Sequence, residues 1–229
     1  MAGGIGSRLR PFTLSTPKCL VPIKGRPLLE IWLENLTKFG YKEFLINTHY
    51  LPEQVEVFIN KSHYKNNVIL VHEPILLGTA GTLRKNINFF KGEDGILLHA
   101  DNYCLANFID FEEAHKNRPK SCDITMMTFH ATNPSLCGVV ELDEKGVVID
   151  FHEKVDCPPS NLANGAIYYL SSKFISEFAI KFKDTACFSN EVLPKLMGQI
   201  HTYNTDCTLI DIGSVDAYNL VNKTTKLEK

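Results

Sequence analysis

The residues that could carry out chemistry begin at the start of the chain, in the loop Ala2-Gly3-Gly4-Ile5-Gly6-Ser7-Arg8. Its three glycines within four positions permit positive φ and a close approach of the backbone to a ligand. Successive backbone N–H groups in such a loop can bind an anion. Arg8 adds a guanidinium, and Lys18 follows ten residues later in a stretch stiffened by Pro17 and Pro22. A phosphate-binding loop with two fixed cations beside it predicts a site for a nucleoside triphosphate.

An ordinary glycine-rich turn and the dinucleotide-binding loop of an NAD enzyme are the alternatives for this segment. The sequence lacks the Gly-Lys-Ser/Thr ending of a P-loop, and Leu9 stands where a dinucleotide fingerprint has its third glycine. The cations Arg8 and Lys18, set among prolines, therefore favour the triphosphate interpretation.

Two aspartates belong to apolar runs for which strands are predicted. Asp101 follows Ile96-Leu97-Leu98-His99-Ala100, at the carboxyl end of a strand, where open α/β sheets bind ligands. A turn or helix-cap role is the alternative for Asp101. Asp211 lies in Leu209-Ile210-Asp211-Ile212, where burial without a partner would be costly. A metal ligand is therefore favoured for Asp211 over a cap for a helix at 215–221.

The opening resembles that of the sugar-1-phosphate nucleotidylyltransferases, A-G-G-x-G-x-R-L-x-P-x-T…P-K-x-L-x-P-I. The matching positions are Ala2 to Leu9, Pro11, Thr13, Pro17, Lys18, Leu20, Pro22 and Ile23, continued by Gly25 to Glu30. The resemblance runs the whole length of the chain and is strongest to members of the mannose-1-phosphate guanylyltransferase type. It implies a GT-A-like fold and transfer of a nucleotidyl group from an NTP to a sugar 1-phosphate, with release of pyrophosphate.

The resemblance also implies roles for individual residues. Arg8, Lys18 and Asp101 are implied as catalytic, and Asp101 and Asp211 together as ligands of one Mg²⁺. The residues implied in nucleotide binding are Ala2, Gly3, Gly4, Gly6, Ser7, Arg8, Glu73, Gly78 and Thr79. The residues implied in sugar-phosphate binding are Gly138, Glu153, Lys154 and Asn164.

Three positions depart from the pattern of that family. Ala100 replaces the glycine of G-D-N, Cys137 replaces a tyrosine before Gly138, and Ala166 replaces the second glycine of N-G-G-I. An ordinary surface ion pair is the alternative for Glu153 and Lys154.

The choice of base is expected to depend on Leu77-Gly78-Thr79-Ala80-Gly81, which resembles guanylyltransferases. GTP is therefore the expected nucleotide, with mannose 1-phosphate, heptose 1-phosphate or a glucosamine relative as acceptor. The alternatives are a purely structural helix entry, a uridylyl-, cytidylyl- or thymidylyltransferase of the same family, and a catalytically silent regulatory paralogue that binds nucleotide sugars. Retention of the implied catalytic and metal-binding residues favours the enzyme.

His49 and His99 lie at the ends of apolar strands and are predicted to be hydrogen-bonded structural residues rather than catalytic bases. The second pKa of a sugar 1-phosphate is about 6, so its oxygen is already anionic at neutral pH. The implied reaction therefore needs positioning and charge neutralisation rather than a base.

The composition is that of an ordinary globular protein, with 229 residues, 44% hydrophobic and 22% charged. The net charge of −2 provides no global field that would attract nucleic acid. Seven cysteines, odd in number and without CxxC spacing, favour reduced thiols in the cytoplasm over disulfides or a zinc site. No apolar run is long enough to span a membrane, so no membrane partner is expected. The oligomeric state is left open, with a homo-oligomer as one option.

Alternating helices and strands predict an α/β fold with a doubly wound, mostly parallel, Rossmann-like sheet. Closely spaced strands from about residue 123 predict a smaller antiparallel portion, which the resemblance implies to be sugar-binding. Helices are predicted over 28–36, 52–59, 81–90, 173–182 and 191–197. Strands are predicted over 43–48, 68–72, 95–100, 124–129, 138–142, 147–151, 166–170 and 209–212. We expect one domain over 1–229, with a nucleotide-binding half at 1–121 and a sugar-binding half at 122–229. Because only Met1 precedes the glycine loop, we also expect that the strand feeding this loop is missing and that an apolar run lies upstream in the natural chain.

Overall fold

The computed structural model describes residues 1–223, in which helices and strands alternate. The helices are α1 (Leu28–Lys38), α2 (Pro52–Lys61), α3 (Gly78–Lys85), α4 (Phe108–Lys116), α5 (Ser172–Lys181) and α6 (Val215–Lys223). The strands are β1 (Pro22–Ile23), β2 (Arg26–Pro27), β3 (Phe44–Thr48), β4 (Val68–His72), β5 (Gly95–Leu98), β6 (Asn102–Cys104), β7 (Ile124–His130), β8 (Gly138–Leu142), β9 (Val148–Glu153), β10 (Leu162–Leu170), β11 (Ile200–Asn204) and β12 (Leu209–Asp211).

The described chain divides into two compact units, each assembled from separate stretches of sequence. Unit 1 contains Met1–Leu76, His99–Ala106 and the described part of Cys207–Lys229. Unit 2 contains Leu77–Leu98 and Asn107–Asp206. The predicted functional halves at 1–121 and 122–229 divide the chain differently and stay a prediction.

Unit 1 contains short strand pairs and three of the helices. β3 lies parallel to β4, whereas β6 lies antiparallel to β12 with Asn102 opposite Asp211. Helix α1 buries an apolar stripe, and Nε1 of Trp32 donates a 2.7 Å hydrogen bond to the carbonyl oxygen of Asn102. Gly40 follows the helix with φ of 94°, a left-handed conformation that glycine adopts readily after a helix end. Helix α1 therefore supports the backbone that leads to the β6–β12 pair.

Unit 2 is built on a six-stranded mixed sheet. The strand order is β11-β7-β10-β8-β9, and β5 also pairs with β10. Only β7 and β11 in this sheet are parallel. β10 has an irregularity between Asn164 and Tyr168, where its pairing with β7 shifts register. The aromatic side chains of Phe108, Phe111, Tyr168, Phe178 and Phe188 are fully buried in this unit.

Most of the predicted elements are present, and the α/β class is confirmed. Parallel pairing is limited to β3–β4 and β7–β11 among the described strands, which is less than a mostly parallel sheet would show. The apolar run of β5 predicted a buried strand, but burial does not determine direction, and its partner β10 is antiparallel.

Some elements differ from the predictions. The helix predicted over 191–197 is instead a π-helical turn (Phe188–Val192) followed by a 3₁₀ turn (Leu193–Leu196) that contains Pro194. Proline lacks the N–H that a regular helix would need at this point. Helix α4 and strands β1, β2, β6 and β11 are not among the predicted elements. Within residues 1–223, no helix has both the length and the apolar character needed to cross a membrane.

Candidate functional site

The glycine loop of unit 1 is fixed by close contacts with the residues that follow it. Gly6 has φ of 67°, and the hydroxyl of Thr13 donates a 2.7 Å hydrogen bond to its carbonyl oxygen. A Cβ added at Gly6 would lie 2.9 Å from the Thr13 side chain and 3.2 Å from Cβ of Lys18. Glycine is therefore required at this position for both conformation and space.

The first residues of the loop contact β3. The backbone N–H of Ala2 donates to Oδ1 of Asn47 at 2.8 Å. A Cβ on Gly3 would lie 3.1 Å from Nδ2 of the same asparagine. Gly4 is exposed, and nothing lies within 4 Å of the position of its missing Cβ. Ser7 is also exposed, in the 3₁₀ turn Ser7–Leu9. The loop is thus anchored at Ala2, Gly3 and Gly6 and open at Gly4 and Ser7.

Lys18, Asp101 and Asp211 form the charged centre of unit 1. Nζ of Lys18 lies 2.7 Å from Oδ2 of Asp101 and 3.4 Å from Oδ1 of Asp211. Lys18 is only 7% exposed, so this ammonium is enclosed between the two carboxylates. The β6–β12 pairing and a hydrogen bond from Ile212 N–H to the Asp101 carbonyl oxygen bring these distant segments together.

The electrostatics of the cluster keep Asp101 ionised. Burial raises the pKa of Asp101, but the Lys18 ammonium and its hydrogen bond outweigh this effect, and the pKa lies below its ordinary value. Burial also lowers the pKa of nearby His99 and keeps its imidazole neutral. Nε2 of His99 has no hydrogen-bond partner among the described residues, so this nitrogen does not supply the hydrogen bond predicted for this histidine. Nδ1 of His49 lies 2.7 Å from the carbonyl oxygen of Glu73, as that prediction expects.

Gly213 borders this cluster, and the sequence did not identify it as a site residue. A Cβ added there would lie 2.7 Å from Oδ2 of Asp211 and 3.1 Å from Nη2 of Arg8. Arg8 is therefore beside the same carboxylate, with its side chain exposed. The available signal was a glycine two residues after an aspartate, which is too common to be specific. The cap of α6 comes from Ser214, whose Oγ accepts from the N–H of Ala217, and this leaves the Asp211 carboxylate for other contacts.

The residues of unit 1 fit a divalent cation. Oxygens of Asp101 and Asp211 converge on one positive group, and the absence of a side chain at Gly213 leaves space beside Asp211. Carboxylate oxygens are the ligands that hard cations such as Mg²⁺ and Ca²⁺ prefer. Glu73, predicted for nucleotide binding, is fully buried in this unit.

Gly78 and Thr79 lie in the first turn of α3 in unit 2, three residues earlier than the helix start predicted at 81. Gly78 has φ of 73°, and a Cβ there would collide with the carbonyl oxygen of Ala186. Oγ1 of Thr79 accepts a 2.8 Å hydrogen bond from the N–H of Phe188. These contacts give the segment a structural role, and its role in binding the base stays a prediction.

Glu153 and Lys154 follow one another at the end of β9. Their side chains form an ion pair with 3.2 Å between Nζ and Oε1. Gly138 lies opposite Glu153 on β8, and a Cβ there would approach Oε2 to 2.7 Å. Lys154 has φ of 52°, and its N–H donates to the carbonyl oxygen of Cys137. The structure brings these predicted sugar-phosphate residues together.

Asn164 is held by contacts within β10. Its Oδ1 accepts from the N–H of Ala166 at 2.9 Å, and its Nδ2 donates to the hydroxyl of Tyr168 at 2.7 Å. Ala166 has φ of 53°, an unusual conformation for a residue with a Cβ. Burial raises the pKa of Tyr168, so its hydroxyl remains protonated. Asn164 therefore stabilises a local turn and keeps one N–H for another partner.

Comparison with known proteins shows which proteins the chain is similar to. The chain is 34% identical over 219 residues to mannose-1-phosphate guanylyltransferase catalytic subunit beta of Drosophila melanogaster, covering 93% of this chain and 58% of that protein. It therefore spans less than two thirds of that relative. It is 29% identical to D-glycero-alpha-D-manno-heptose 1-phosphate guanylyltransferase of Campylobacter jejuni, covering 95% of each.

A solved structure shows the same fold. HddC from Yersinia pseudotuberculosis, in a crystal structure with GMP-PN, superposes with a TM-score of 0.82 at 25% identity, covering 98% of this chain and 97% of that one. The GT-A-like fold is thereby confirmed. The Nucleotidyl transferase family matches residues 1–228. Its members generally use a divalent metal. The chain belongs to the nucleotidyl transferase family.

Proposed function

We propose that this protein transfers a guanylyl group from GTP to a sugar 1-phosphate, giving a GDP-sugar and pyrophosphate. The observation that carries this proposal is the Lys18–Asp101–Asp211 cluster, with its 2.7 and 3.4 Å contacts, in a chain matched to the family over residues 1–228. The activities named for the Drosophila and Campylobacter relatives support GTP over pyrimidine nucleotides, and mannose 1-phosphate or a heptose 1-phosphate as acceptor.

The chemistry proposed is an in-line displacement at the α-phosphorus of GTP. A phosphate oxygen of the sugar 1-phosphate forms the new P–O bond, and the bond to the β-phosphate oxygen breaks to release pyrophosphate. Because the second pKa of such a phosphate is about 6, the attacking oxygen needs no base at neutral pH. The protein has to align the reactants and offset repulsion between anions.

We assign the residues of unit 1 to binding of the triphosphate group of GTP. Backbone N–H groups of the glycine loop and the guanidinium of Arg8 bind phosphate oxygens. Lys18 fixes the orientation of both aspartates through its ion pairs. Asp101 and Asp211 are the residues that would hold Mg²⁺, which when bound supplies positive charge to a triphosphate.

The residues of unit 2 are assigned to the other substrate groups. Lys154 pairs with the phosphate of the sugar 1-phosphate, and Glu153 accepts hydrogen bonds from sugar hydroxyls. The remaining N–H of Asn164 donates to a hydroxyl. Gly138 leaves the space in which the Glu153 carboxylate lies. Gly78 and Thr79 bind the base.

A pyrophosphate-release assay tests this function. GTP, UTP, CTP and dTTP are each combined with mannose, heptose, glucosamine and glucose 1-phosphates, with and without Mg²⁺. We expect the highest kcat/KM with GTP, because a site built for hydrogen bonds rejects a mismatched base strongly. A preference for a pyrimidine triphosphate would refute guanylyl transfer while leaving the reaction class intact. No turnover with any pair, together with binding of a GDP-sugar, would identify a silent regulatory paralogue.

Localisation and assembly complete the proposal. The described residues contain seven cysteines, all as free thiols, which supports a reducing compartment such as the cytoplasm. Fractionation of the native host measures this directly. Sedimentation of the purified chain decides whether it forms a homo-oligomer.

A further inference from the structure

Glu191 in unit 2 makes contacts that the assignments above do not use. One oxygen of its carboxylate, Oε2, accepts hydrogen bonds from the backbone N–H groups of Ala186 and Cys187, each at 2.6 Å. These two hydrogen bonds, of which the one from Cys187 has the larger effect, hold the pKa of Glu191 below its ordinary value. The side chain therefore acts as an anionic clamp on the segment 186–187.

The clamped segment contacts the first turn of α3. The carbonyl oxygen of Ala186 accepts from the N–H of Ala80 at 2.9 Å, and the N–H of Phe188 donates to Oγ1 of Thr79 at 2.8 Å. The first N–H groups of a helix have no partner within the helix, so Ala186 satisfies a donor that α3 would otherwise leave free. Gly78 allows this close contact, because a Cβ there would collide with the carbonyl oxygen of Ala186.

The backbone groups of residues 186–188 form hydrogen bonds with two different partners, Glu191 and helix α3. Ala186 and Cys187 direct their N–H groups to Glu191, while Ala186 O and Phe188 N–H contact α3. The hydroxyl oxygen of Thr79 accepts from Phe188, which directs its own proton toward a different acceptor. A shift of 186–188 would move this hydroxyl together with the start of α3.

We propose that Glu191 is a positioning residue for base selection, acting through Ala186–Phe188 on Gly78 and Thr79. The inference rests on the proposed function, in which the first turn of α3 binds the base. It extends that function by assigning part of the discrimination between bases to the Glu191 side chain, which fixes residues 186–188 against the first turn of α3.

The test compares Glu191→Ala with Glu191→Gln and a surface control, Glu177→Ala, which removes only an ion pair with Lys181 within α5. The measured quantities are kcat and KM for GTP and UTP and KM for the sugar 1-phosphate. For Glu191→Ala we expect KM for GTP to rise about tenfold and the GTP/UTP ratio of kcat/KM to fall about tenfold, as for loss of charge-assisted hydrogen bonds. Glu191→Gln retains an acceptor oxygen, so it should restore most of the selectivity.

A double-mutant cycle shows whether the effect passes through Thr79. If Glu191 acts on base selection by way of Thr79, Glu191→Ala should add little to the selectivity loss of Thr79→Val. Additive losses would overturn the proposed route. Should Glu191→Ala not fold, Glu191→Asp gives the same comparison, since it keeps the charge but withdraws the carboxylate by one methylene.

Two failures are distinguishable. An equal fall in kcat for GTP and UTP in Glu191→Ala, with an unchanged GTP/UTP ratio, would overturn the inference alone. Absence of turnover in the wild-type protein with every nucleotide and sugar 1-phosphate would overturn the proposed function, and the inference with it.

Discussion

Units 1 and 2 hold their candidate functional residues in different ways. In unit 1 the predicted catalytic and metal-binding residues are charged side chains from distant parts of the chain, and the buried Lys18 contacts both Asp101 and Asp211. In unit 2 they lie on backbone of unusual conformation, with positive φ at Gly78, Lys154 and Ala166. Function in unit 1 should therefore be sensitive to loss of charge, whereas function in unit 2 should be sensitive to changes in backbone shape.

Removing charge from unit 1 should have the largest effect. Asp101→Asn and Asp211→Asn each remove an anionic metal ligand and should lower kcat by about a thousandfold. Asp101→Asn should also lower the melting temperature more, because its oxygen is the nearer to the buried Lys18, at 2.7 Å rather than 3.4 Å. Asp184→Asn, with a carboxylate 86% exposed in unit 2, is the matched control and should leave both quantities unchanged. Near-normal turnover in either aspartate variant would contradict the proposal that Asp101 and Asp211 together bind a metal ion.

The cations of the two units should give different kinetic effects. Arg8→Ala should lower kcat by about a hundredfold if the guanidinium stabilises charge that develops on the leaving pyrophosphate. Lys154→Ala should instead raise KM for the sugar 1-phosphate by about tenfold, since it removes a charge-assisted contact with a bound substrate. Steady-state kinetics with each substrate varied in turn separates these effects. If the two phenotypes are exchanged, the substrate groups have been assigned to the wrong residues.

The sequence revealed the charged residues of unit 1 because their motifs are continuous in the chain. The glycine loop, Arg8 and Lys18 lie within the first 18 residues, and each aspartate ends or interrupts an apolar run. The ion pairs themselves required the β6–β12 register, which no local pattern encodes. Gly213 could not be distinguished from other glycines by sequence, because the need for glycine there comes from the folded structure. An added Cβ would lie 2.7 Å from the Asp211 carboxylate and 3.1 Å from the Arg8 guanidinium.

Unit 2 was harder to predict because its features are conformational. Glu191 has an acidic side chain in a helix-compatible segment, and the sequence predicted a helix there. Its carboxylate instead binds the N–H groups of Ala186 and Cys187, and the chain continues as a π-helical turn. The positive φ of Ala166 could not be predicted from the sequence either, because alanine rarely adopts this conformation.

A buried histidine of unit 2 gives a pH-dependent test. His115 stacks on Tyr169, its Nδ1 lies 2.9 Å from the Thr125 hydroxyl, and its Nε2 lies 3.4 Å from the Asp94 carboxylate. Burial and, next, the Arg118 guanidinium lower its pKa to about 4, although Asp94 opposes this. The unfolded chain therefore takes up a proton near pH 6.5, where the folded protein does not.

It follows that the contribution of His115 to stability is complete above pH 6.5 and is lost as the pH falls toward 4. Melting temperatures at pH 7.5, 6 and 5 should decline more steeply for the wild-type protein than for His115→Gln, which does not titrate. A residual slope is expected, because the pKa values of His99 and His201 are also lowered by burial. Identical slopes would show that His115 is not held neutral.

The smallest expected effect tests the backbone of unit 2 directly. Ala166 has φ of 53°, where a Cβ costs about 1 to 2 kcal/mol, whereas the added freedom of glycine in the unfolded chain costs about 0.5 to 1 kcal/mol. Ala166→Gly should therefore stabilise the protein by about 0.5 kcal/mol and raise its melting temperature by about 2 °C. The hydrogen bond from its N–H to Oδ1 of Asn164 is retained, so KM for the sugar 1-phosphate should not change.

The matched control is Ala163→Gly, at a fully buried position of the same strand that is not among the residues with positive φ. With no strain to relieve, this change should destabilise the protein by about 1 kcal/mol or more, through lost packing and greater freedom of the unfolded chain. If the two changes alter the free energy of unfolding in opposite directions, the positive φ of Ala166, and not the loss of an alanine methyl group as such, determines the stability of this turn. Equal destabilisation at both positions would mean that Ala166 is not strained, and that the contrast between a charge-dependent unit 1 and a shape-dependent unit 2 is wrong at this point.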